Sequence, residues 1–369
     1  MTLPRSQYVQ DGQEGVYHCF NRCVRRAFLC GTDSLTGRDF SHRKEWIVDR
    51  LHSLASVFAI DVCAFAILAN HFHTVLHTLP NLVAGWSDWE VATRWLTLCP
   101  KRHRNNPNSL STLQQDIRAL VNCPHRIATL RRRLSSISWF MAQLDQFIAR
   151  AANKEDGVKG RFWESRFKCQ ALLDEAAICS CMVYVDLNPI RADLAATPED
   201  SDFTSIQQRI RAWKDESVQS QPNAIQPTDP DLHPNSDGYD PTPSATPDPS
   251  SVVSPGPKSW LCPISSDSMN RGILSMSTAE YFDLVDRSGR MARSGKRGSM
   301  DPDLAPILLR MGVKPDAWFE TMSRFGSIFH LAAGLVSNLR SFADQVGRKW
   351  LTGVSAAQTA FVSSPAQIT

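Results

Sequence analysis

The stretch ILANHFHTVLH, residues 67–77, decides how the first half of this 369-residue chain folds. It continues an almost uninterrupted apolar run at 60–69, which is typical of a central strand, and a second strand is predicted at 71–79. Successive side chains of a strand point to opposite faces, so His71 and His73 share one face. The stretch therefore predicts a strand that presents two histidines together at one surface of a sheet.

Patterns on either side of this stretch complete an α+β fold in which helices pack on a sheet. Apolar residues recur every three or four positions in the predicted helices. The predicted elements are a strand at 15–23, helices at 41–58, 86–98 and 136–152, a strand at 162–172 and a helix at 175–187. Asp174 opens the last helix as its N-cap residue, and Pro189 ends it.

Composition divides the chain into four parts. Residues 215–259 contain 10 prolines and seven acidic side chains but one lysine, so they bury too little apolar surface to offset the entropy of ordering. We predict a folded domain at 10–214, a disordered linker at 215–259, a small helical region at 260–355 and a disordered tail at 356–369.

The helical C-terminal region allows two interpretations. Two helical segments joined at Gly312 follow the basic stretch SGKRGSM at 294–300, which fits a DNA-binding helix-turn-helix. Alternatively, the segments form a small bundle that packs on the first domain. The core of that bundle would be Trp318, Phe319, Phe325 and Phe329.

Charge is unevenly distributed along the chain, whose formal net charge is +3. Residues 1–214 hold 27 basic against 21 acidic side chains, an excess that suits a polyanionic partner such as nucleic acid. No apolar run reaches the ~18 to 20 residues that a membrane helix needs, and the N-terminus lacks the apolar run of a signal peptide. We expect a cytoplasmic, nucleoid-associated protein without a membrane partner, whose ten cysteines are buried thiols.

Side chains suited to metal and phosphoryl chemistry occur in two motifs. The HFH motif places two imidazoles close enough to share a metal ion, and in VYVDLNP the residues Tyr184 and Asn188 share one helical face. The alternative interpretation is that all four are ordinary core-edge and surface residues. Val75 excludes an HxHxH triad, and the sequence has neither GxxxxGK[ST] nor GxGxxG, so we expect no nucleotide cofactor.

Four segments together resemble a known family, the REP-associated tyrosine transposases and related single-tyrosine HUH transposases, where HUH means His, hydrophobe, His. The segments are YHCFNRC at 17–23, ILANHFHTVLH at 67–77, GRFWESRFK at 160–168 and YVDLNPIRADL at 184–194. They cover most of residues 15–210. The sequence has Leu-Ala-Asn where the family often has Met-Pro-Asn before the first histidine, and Val183 where an arginine often precedes the tyrosine.

This resemblance implies a ferredoxin-like antiparallel sheet with packed helices, called the HUH palm. It also implies that His71, His73 and Asn188 bind a divalent ion, Mg²⁺ or Mn²⁺. Tyr184 is then the nucleophile that attacks a DNA phosphate and leaves a 5′-phosphotyrosine and a free 3′-hydroxyl. The substrate class is single-stranded DNA with hairpins, and the strands are rejoined without ATP.

Basic and aromatic side chains of the matching segments are candidates for DNA contact. They are Arg22, Arg25, Arg26, Arg161, Trp163, Arg166, Lys168 and Arg191. The implied function is a metal-dependent single-strand DNA transposase, and a homodimer is one assembly that it could use. Two alternatives stay open: a catalytically silent regulator that binds DNA hairpins, and a metal phosphodiesterase that uses water instead of tyrosine.

Overall fold

The structure is a computed structural model of the chain. It describes residues 4–9, 12–24, 29–33, 37–100, 110–219, 260–265, 272–294 and 303–362. Most of the predicted linker and two of the candidate DNA-binding residues, Arg25 and Arg26, lie outside the described residues.

Five strands form one mixed sheet. They are β1 (Gly15–Arg22), β2 (Ile60–Ile67), β3 (His71–Thr78), β4 (Lys168–Leu172) and β5 (Ala332–Ala333). The spatial order is β2-β3-β1-β4-β5, and the first four strands have only antiparallel neighbours among themselves. The expectation of an antiparallel sheet needs a correction, because β5 comes from the C-terminal region and pairs in parallel with β4.

Helices connect and cover these strands. A short 3-10 helix (Arg5–Gln7) is followed by α1 (Arg43–Val57), α2 (Pro80–Ala84), α3 (Asp88–Leu98), α4 (Leu110–Val121), α5 (Pro124–Leu134), α6 (Ile137–Glu155), α7 (Glu175–Asp186), α8 (Asn188–Arg191), α9 (Ser205–Gln219), α10 (Thr278–Ser294), α11 (Leu304–Arg310), α12 (Pro315–Ile328), α13 (Val336–Gln345) and α14 (Val354–Ala360). Among these described helices, none has the length and apolar composition needed to cross a bilayer.

The strand predicted at 162–172 is a strand only in its second half, because β4 begins at Lys168. The neighbouring residues Phe162 and Trp163 are both buried, and their ring centroids lie 4.8 Å apart. Two consecutive side chains buried in one cluster are incompatible with strand alternation. The segment before β4 therefore bends, and an isolated bridge joins its Trp163 to Cys23, the residue that follows β1.

Strand register shows which side chains share a face of the sheet, because directly paired residues point to the same face. The side chains on the face that concerns the site are those of His18, Phe20, Arg22, His71, His73, Lys168 and Gln170. Helix α7 packs on this face. The opposite face is covered by α1 and α6, where the side-chain amide of Asn21 donates to Asp145.

Helix α7 is buried on all sides. Asp174 caps it by accepting a hydrogen bond from the backbone N–H of Ala177 at 3.0 Å, and residues 176–186 are all buried. A helix without a polar face needs cover on every side. The sheet covers one side, and α10 and α12 of the C-terminal region cover another.

The C-terminal region thus packs on the first domain, as in the second of the two interpretations given for it. Trp318, Phe325 and Phe329 are buried there, and Phe319 is partly buried. Helix α9 extends to Gln219, five residues into the segment predicted as linker, and α14 crosses the predicted start of the tail. Residues 220–259 and 363–369 lie outside the described residues.

Candidate active site

A cavity of about 250 Å³ opens between the sheet and α7, beside the first residues of β3. Its lining residues are His18, Phe20, Asn21, Arg22, His71, His73, Glu164, Ser165, Lys168, Tyr184 and Gly326. The cavity brings together both histidines of the HFH motif, the tyrosine of α7 and two of the candidate DNA-binding residues, Arg22 and Lys168.

Tyr184 stands edge-on against the histidines of the sheet. Its ring centroid lies 5.8 Å from that of His73 and 6.0 Å from that of His18. The residue is 9% exposed, and it lines the cavity. The phenol therefore faces the space in front of the imidazoles and is otherwise enclosed.

Arg191, just beyond α7, contacts the tyrosine directly. Its guanidinium carbon lies 4.3 Å from the centroid of the Tyr184 ring, and its Nη1 donates to the Tyr184 carbonyl oxygen at 3.3 Å. Burial lowers the pKa of Arg191 somewhat, but the group remains cationic at neutral pH. A fixed positive charge over this ring stabilises negative charge that develops at the phenolic oxygen.

A chain of hydrogen bonds fixes the orientation of His73. Its Nδ1 lies 2.9 Å from Nε2 of His18, and Nδ1 of His18 lies 3.4 Å from Oε1 of Gln170. The amide oxygen of Gln170 only accepts, so His18 donates to it from Nδ1 and accepts from His73 at Nε2. His73 is then protonated at Nδ1, and its Nε2 keeps a free lone pair.

His71 reaches the same state through a different partner. Its Nδ1 is hydrogen-bonded to Oδ1 of Asn70, an acceptor, so its Nε2 also carries a lone pair. Burial lowers the pKa of His18 and of His71 to about 4, and it holds the pKa of His73 well below the usual value, helped by the neighbouring His18 and His71. All three imidazoles are therefore neutral at physiological pH.

Two neutral imidazoles with free Nε2 lone pairs fit the requirements of metal ligands, whose second nitrogen commonly donates to a neighbouring acceptor. They would supply two of the positions of a divalent ion. Within the described part of the chain, no group of three His, Cys, Asp or Glu side chains is placed to hold a metal ion.

The position of Asn188 differs from that of a third ligand. Its side-chain Nδ2 donates to the carbonyl oxygens of Tyr184 and Val185, at 3.1 and 3.4 Å, and the residue does not line the cavity. The reason is local, because α7 ends just before Pro189 and the amide satisfies carbonyls that the helix leaves without a partner. The structure does not bring Asn188 together with the histidines.

The other candidate DNA-binding residues are placed apart from the cavity. Arg161 is bonded to the backbone carbonyl oxygens of Trp163 and Glu164. Trp163 is 9% exposed, and its indole N–H donates to the carbonyl oxygen of Asp145, so its ring belongs to the core. Arg166 is exposed and lines a neighbouring cavity.

The residues of the site that sequence reasoning missed include His18, Gln170, Glu164 and Gly326. His18 stands four residues before Arg22, so strand alternation already placed the two on one face. What the sequence lacked was the register that brings β1 beside β3. Gly326 comes from α12, and nothing near it in the sequence points to the tyrosine: a Cβ added to it would lie 2.9 Å from the Tyr184 hydroxyl.

Comparisons with known proteins do not assign this chain to a family. No protein-family model matches it, and no curated protein matches it. One solved structure, described as the REP-associated tyrosine transposase bound to a REP hairpin, is 12% identical and aligns with 57% of this chain and 86% of that chain. Its TM-score of 0.30 is too low to support an argument about fold or family.

Proposed function

We propose that this protein is a metal-dependent transposase that cleaves and rejoins single-stranded DNA, with Tyr184 as the nucleophile. The observation that carries the proposal is that the Tyr184 ring stands 5.8 Å from the His73 ring in a cavity that also contains His71. An enclosed tyrosine beside two neutral imidazoles is the combination that tyrosine attack on a phosphodiester needs.

The metal in this proposal is Mg²⁺ or Mn²⁺, held by Nε2 of His71 and Nε2 of His73. When bound, the ion supplies Lewis acidity toward a phosphoryl oxygen. Asn188 contacts the carbonyls of α7 through Nδ2, so its Oδ1 stays the candidate for a third position, and the remaining positions fall to substrate oxygens and water.

Tyr184 Oη attacks the phosphorus atom in line with the leaving 3′-oxygen. An O–P bond to the tyrosine forms, the P–O3′ bond breaks, the phenol loses its proton and the 3′-oxygen gains one. The product is a 5′-phosphotyrosine and a free 3′-hydroxyl, and the reverse attack rejoins strands because the ester bond is conserved. Arg191 stabilises charge on the phenolic oxygen, while Arg22 and Lys168 are placed to neutralise the phosphate.

The strand order supports a ferredoxin-like palm as the frame of this site. β1 and β3 are central, β3 has β2 as its other neighbour, β1 has β4, and all three pairings are antiparallel. The two histidines of the HFH motif lie on one central strand, and α7 with the tyrosine packs on it. We take single-stranded DNA next to hairpins as the substrate, in the cytoplasm, with a homodimer as one assembly to test.

One observation favours the second candidate, a catalytically silent protein that binds DNA hairpins. Helix α12 packs over the tyrosine so closely that Gly326 leaves no room for a side chain between them. If α12 keeps that position when DNA is bound, the phosphate reaches Tyr184 only through the cavity.

The deciding experiment incubates the protein with labelled hairpin-bearing single strands and Mn²⁺ and looks for a covalent protein–DNA adduct. We expect an adduct in the wild type and in Tyr17→Phe, whose tyrosine is on the opposite face of β1, and none in Tyr184→Phe. Binding without any adduct would establish the silent binder instead. Cleavage that survives Tyr184→Phe would indicate that water is the nucleophile.

A further inference from the structure

A second cavity, of about 590 Å³, lies next to the candidate active site. Its lining comes from three separate parts of the chain: Arg5 and Tyr8 near the N-terminus, residues 165–169 at the start of β4, and His330, Leu331, Arg348, Trp350, Leu351 and Thr352 of the C-terminal region. Ser165 and Lys168 line both cavities, so the two are adjacent. We call this second cavity the basic cleft.

The arginine and lysine side chains that line the basic cleft give it a positive charge. Arg5, Arg166, Lys168 and Arg348 line it, and none of the described residues that line it carries a carboxylate. Arg166 and Lys168 are exposed. A cleft whose described lining contains four basic side chains and no carboxylate attracts a polyanion and gives the salt-dependent binding that is typical of nucleic acids.

Aromatic groups stand among these cations. Trp350 is 71% exposed, the most of the large apolar side chains found at the described surface, although an indole ring normally packs at least partly. The Arg5 guanidinium carbon lies 3.4 Å from the centroid of the Phe167 ring in the same cleft. An exposed indole next to arginines is the combination with which proteins hold unpaired bases, because the ring stacks on any base and the cations follow the backbone.

We propose that the basic cleft binds the single-stranded DNA that leads into the Tyr184 cavity, with a base stacked on Trp350 and phosphates neutralised by Arg166 and Lys168. This inference rests on the proposed function in one respect, because that function is the reason to expect the DNA strand to lead to Tyr184. It gives the C-terminal region a part in DNA binding that differs from a helix-turn-helix, because an unpaired strand is held in a cleft and no helix enters a groove.

The test measures affinity for single-stranded DNA in a Tyr184→Phe background, so that no covalent step contributes. Fluorescence anisotropy is recorded with two labelled hairpins, one carrying a single-stranded extension and one blunt. Stacking on one base contributes roughly a 5- to 100-fold factor in affinity. We expect Trp350→Ala to weaken binding of the extended hairpin by about that factor and to leave the blunt hairpin unchanged.

Trp89→Ala is the matched control, because Trp89 is 45% exposed on α3 and does not line the cleft. It should change neither affinity. Arg166→Ala should reduce the slope of log K against log salt concentration by about 0.7, the value for one phosphate contact on a single strand.

Equal affinity of the Trp350→Ala and parent proteins for the extended hairpin would overturn the inference, as would an equal loss for both hairpins. The proposed function is tested separately, by the adduct. An adduct with no effect of Trp350→Ala refutes only the cleft, whereas a Trp350 effect without any adduct refutes only the tyrosine chemistry.

Discussion

The Nε2 atom of His18 lies 2.9 Å from the Nδ1 atom of His73, and Oε1 of Gln170 holds the other nitrogen of His18. These hydrogen bonds determine that Nδ1 of His73 carries the proton and that Nε2 presents its lone pair to the cavity. His18 is thus a positioning residue, since it acts on the site through His73.

We predict that His18→Leu weakens Mn²⁺ binding about 10- to 100-fold, the usual effect of removing the hydrogen-bond partner of a ligating histidine. Leucine leaves Nδ1 of His73 without an acceptor, so the ring loses both its orientation and its tautomer. Titration calorimetry with Mn²⁺ measures the affinity without reference to activity.

His18→Gln separates this effect from a general loss of structure, because its side-chain oxygen can accept the proton of His73 and should restore part of the affinity. His77→Leu is the matched control at the far end of β3, where His77 contacts Glu14. Equal Mn²⁺ affinity in the wild type and His18→Leu, with ¹⁵N shifts that show His73 protonated at Nε2, would contradict the tautomer derived above.

Protons should compete with Mn²⁺ for the imidazole nitrogens only at acidic pH. The pKa of His18 and His71 is lowered to about 4 by burial, and that of His73 lies well below the ordinary value, so the folded protein resists protonation at pH 5 to 6, where a free histidine is charged. We expect NMR titration of the metal-free protein to give midpoints near pH 4 for His18 and His71. Mn²⁺ affinity should be nearly constant from pH 8 to about 5 and then fall.

His77 provides an internal reference in the same spectra. Burial lowers its pKa, but contacts with Cys262 and Glu14 raise it more, so the net shift is upward. It should titrate at a higher pH than an ordinary histidine. A midpoint near 6.5 for His71 would show that its ring is more solvated than the structure has it.

The close approach of α12 to the tyrosine predicts a specific effect of Gly326→Ala. The added methyl group would lie 2.9 Å from the Tyr184 hydroxyl and must displace it, whereas alanine is favoured over glycine by about 1 kcal/mol inside a helix. We expect adduct formation to fall at least about 10-fold, while the free energy of unfolding changes by less than about 1 kcal/mol.

Gly85→Ala is the control, because the backbone there is ordinary and the nearest atom is 3.5 Å from the new carbon. Unchanged adduct formation by Gly326→Ala would mean that α12 moves away from the tyrosine during the reaction.

A buried hydrogen bond joins α7 to the C-terminal region and predicts a loss of stability. The hydroxyl of Tyr281 donates to Oδ2 of Asp186 at 2.6 Å, and burial raises the pKa of Asp186 to about 6. Tyr281→Phe removes a donor from a carboxylate that is fully buried and ionised at pH 8. We expect the free energy of unfolding in urea at pH 8 to fall by about 1.5–3 kcal/mol.

Tyr8→Phe is the comparison, since its hydroxyl makes a long contact of 3.4 Å with the Cys169 carbonyl oxygen and is half-buried. That variant should lose less than about 1 kcal/mol. Equal losses in the two variants would show that the Tyr281 hydrogen bond adds nothing to the docking of the C-terminal region.

The sequence was sufficient for those parts of the fold that depend on local patterns. The helices around Leu51 and Leu144 and the strand that carries His73 follow from apolar periodicity and from runs of buried residues, and their ends lie close to the predicted ones. The grouping of His71, His73 and Tyr184 in one cavity agrees with the prediction that an HFH strand and the VYVDLNP helix lie together.

Features that depend on long-range packing could not be predicted from the sequence. The pairing of His18 with His73 needs the register between β1 and β3, and β5 is two residues long. The ligand role that the resemblance implies for Asn188 stays a prediction, because the bond to the Tyr184 carbonyl uses Nδ2, whereas Oδ1 is the atom that would bind a metal ion. One signal was present: the segment EAAICSCMVYVD has no polar face, so a second layer had to cover it.

The two carboxylates that flank α7 both bind the C-terminal region: Asp174 accepts from the Leu335 N–H and the Asn338 amide, and Asp186 accepts from Tyr281. A chain that stops after residue 219 would keep all four segments that carry the family resemblance but would leave one side of α7 uncovered. Those four segments alone therefore do not specify a folded α7, because the residues that cover it belong to the C-terminal region.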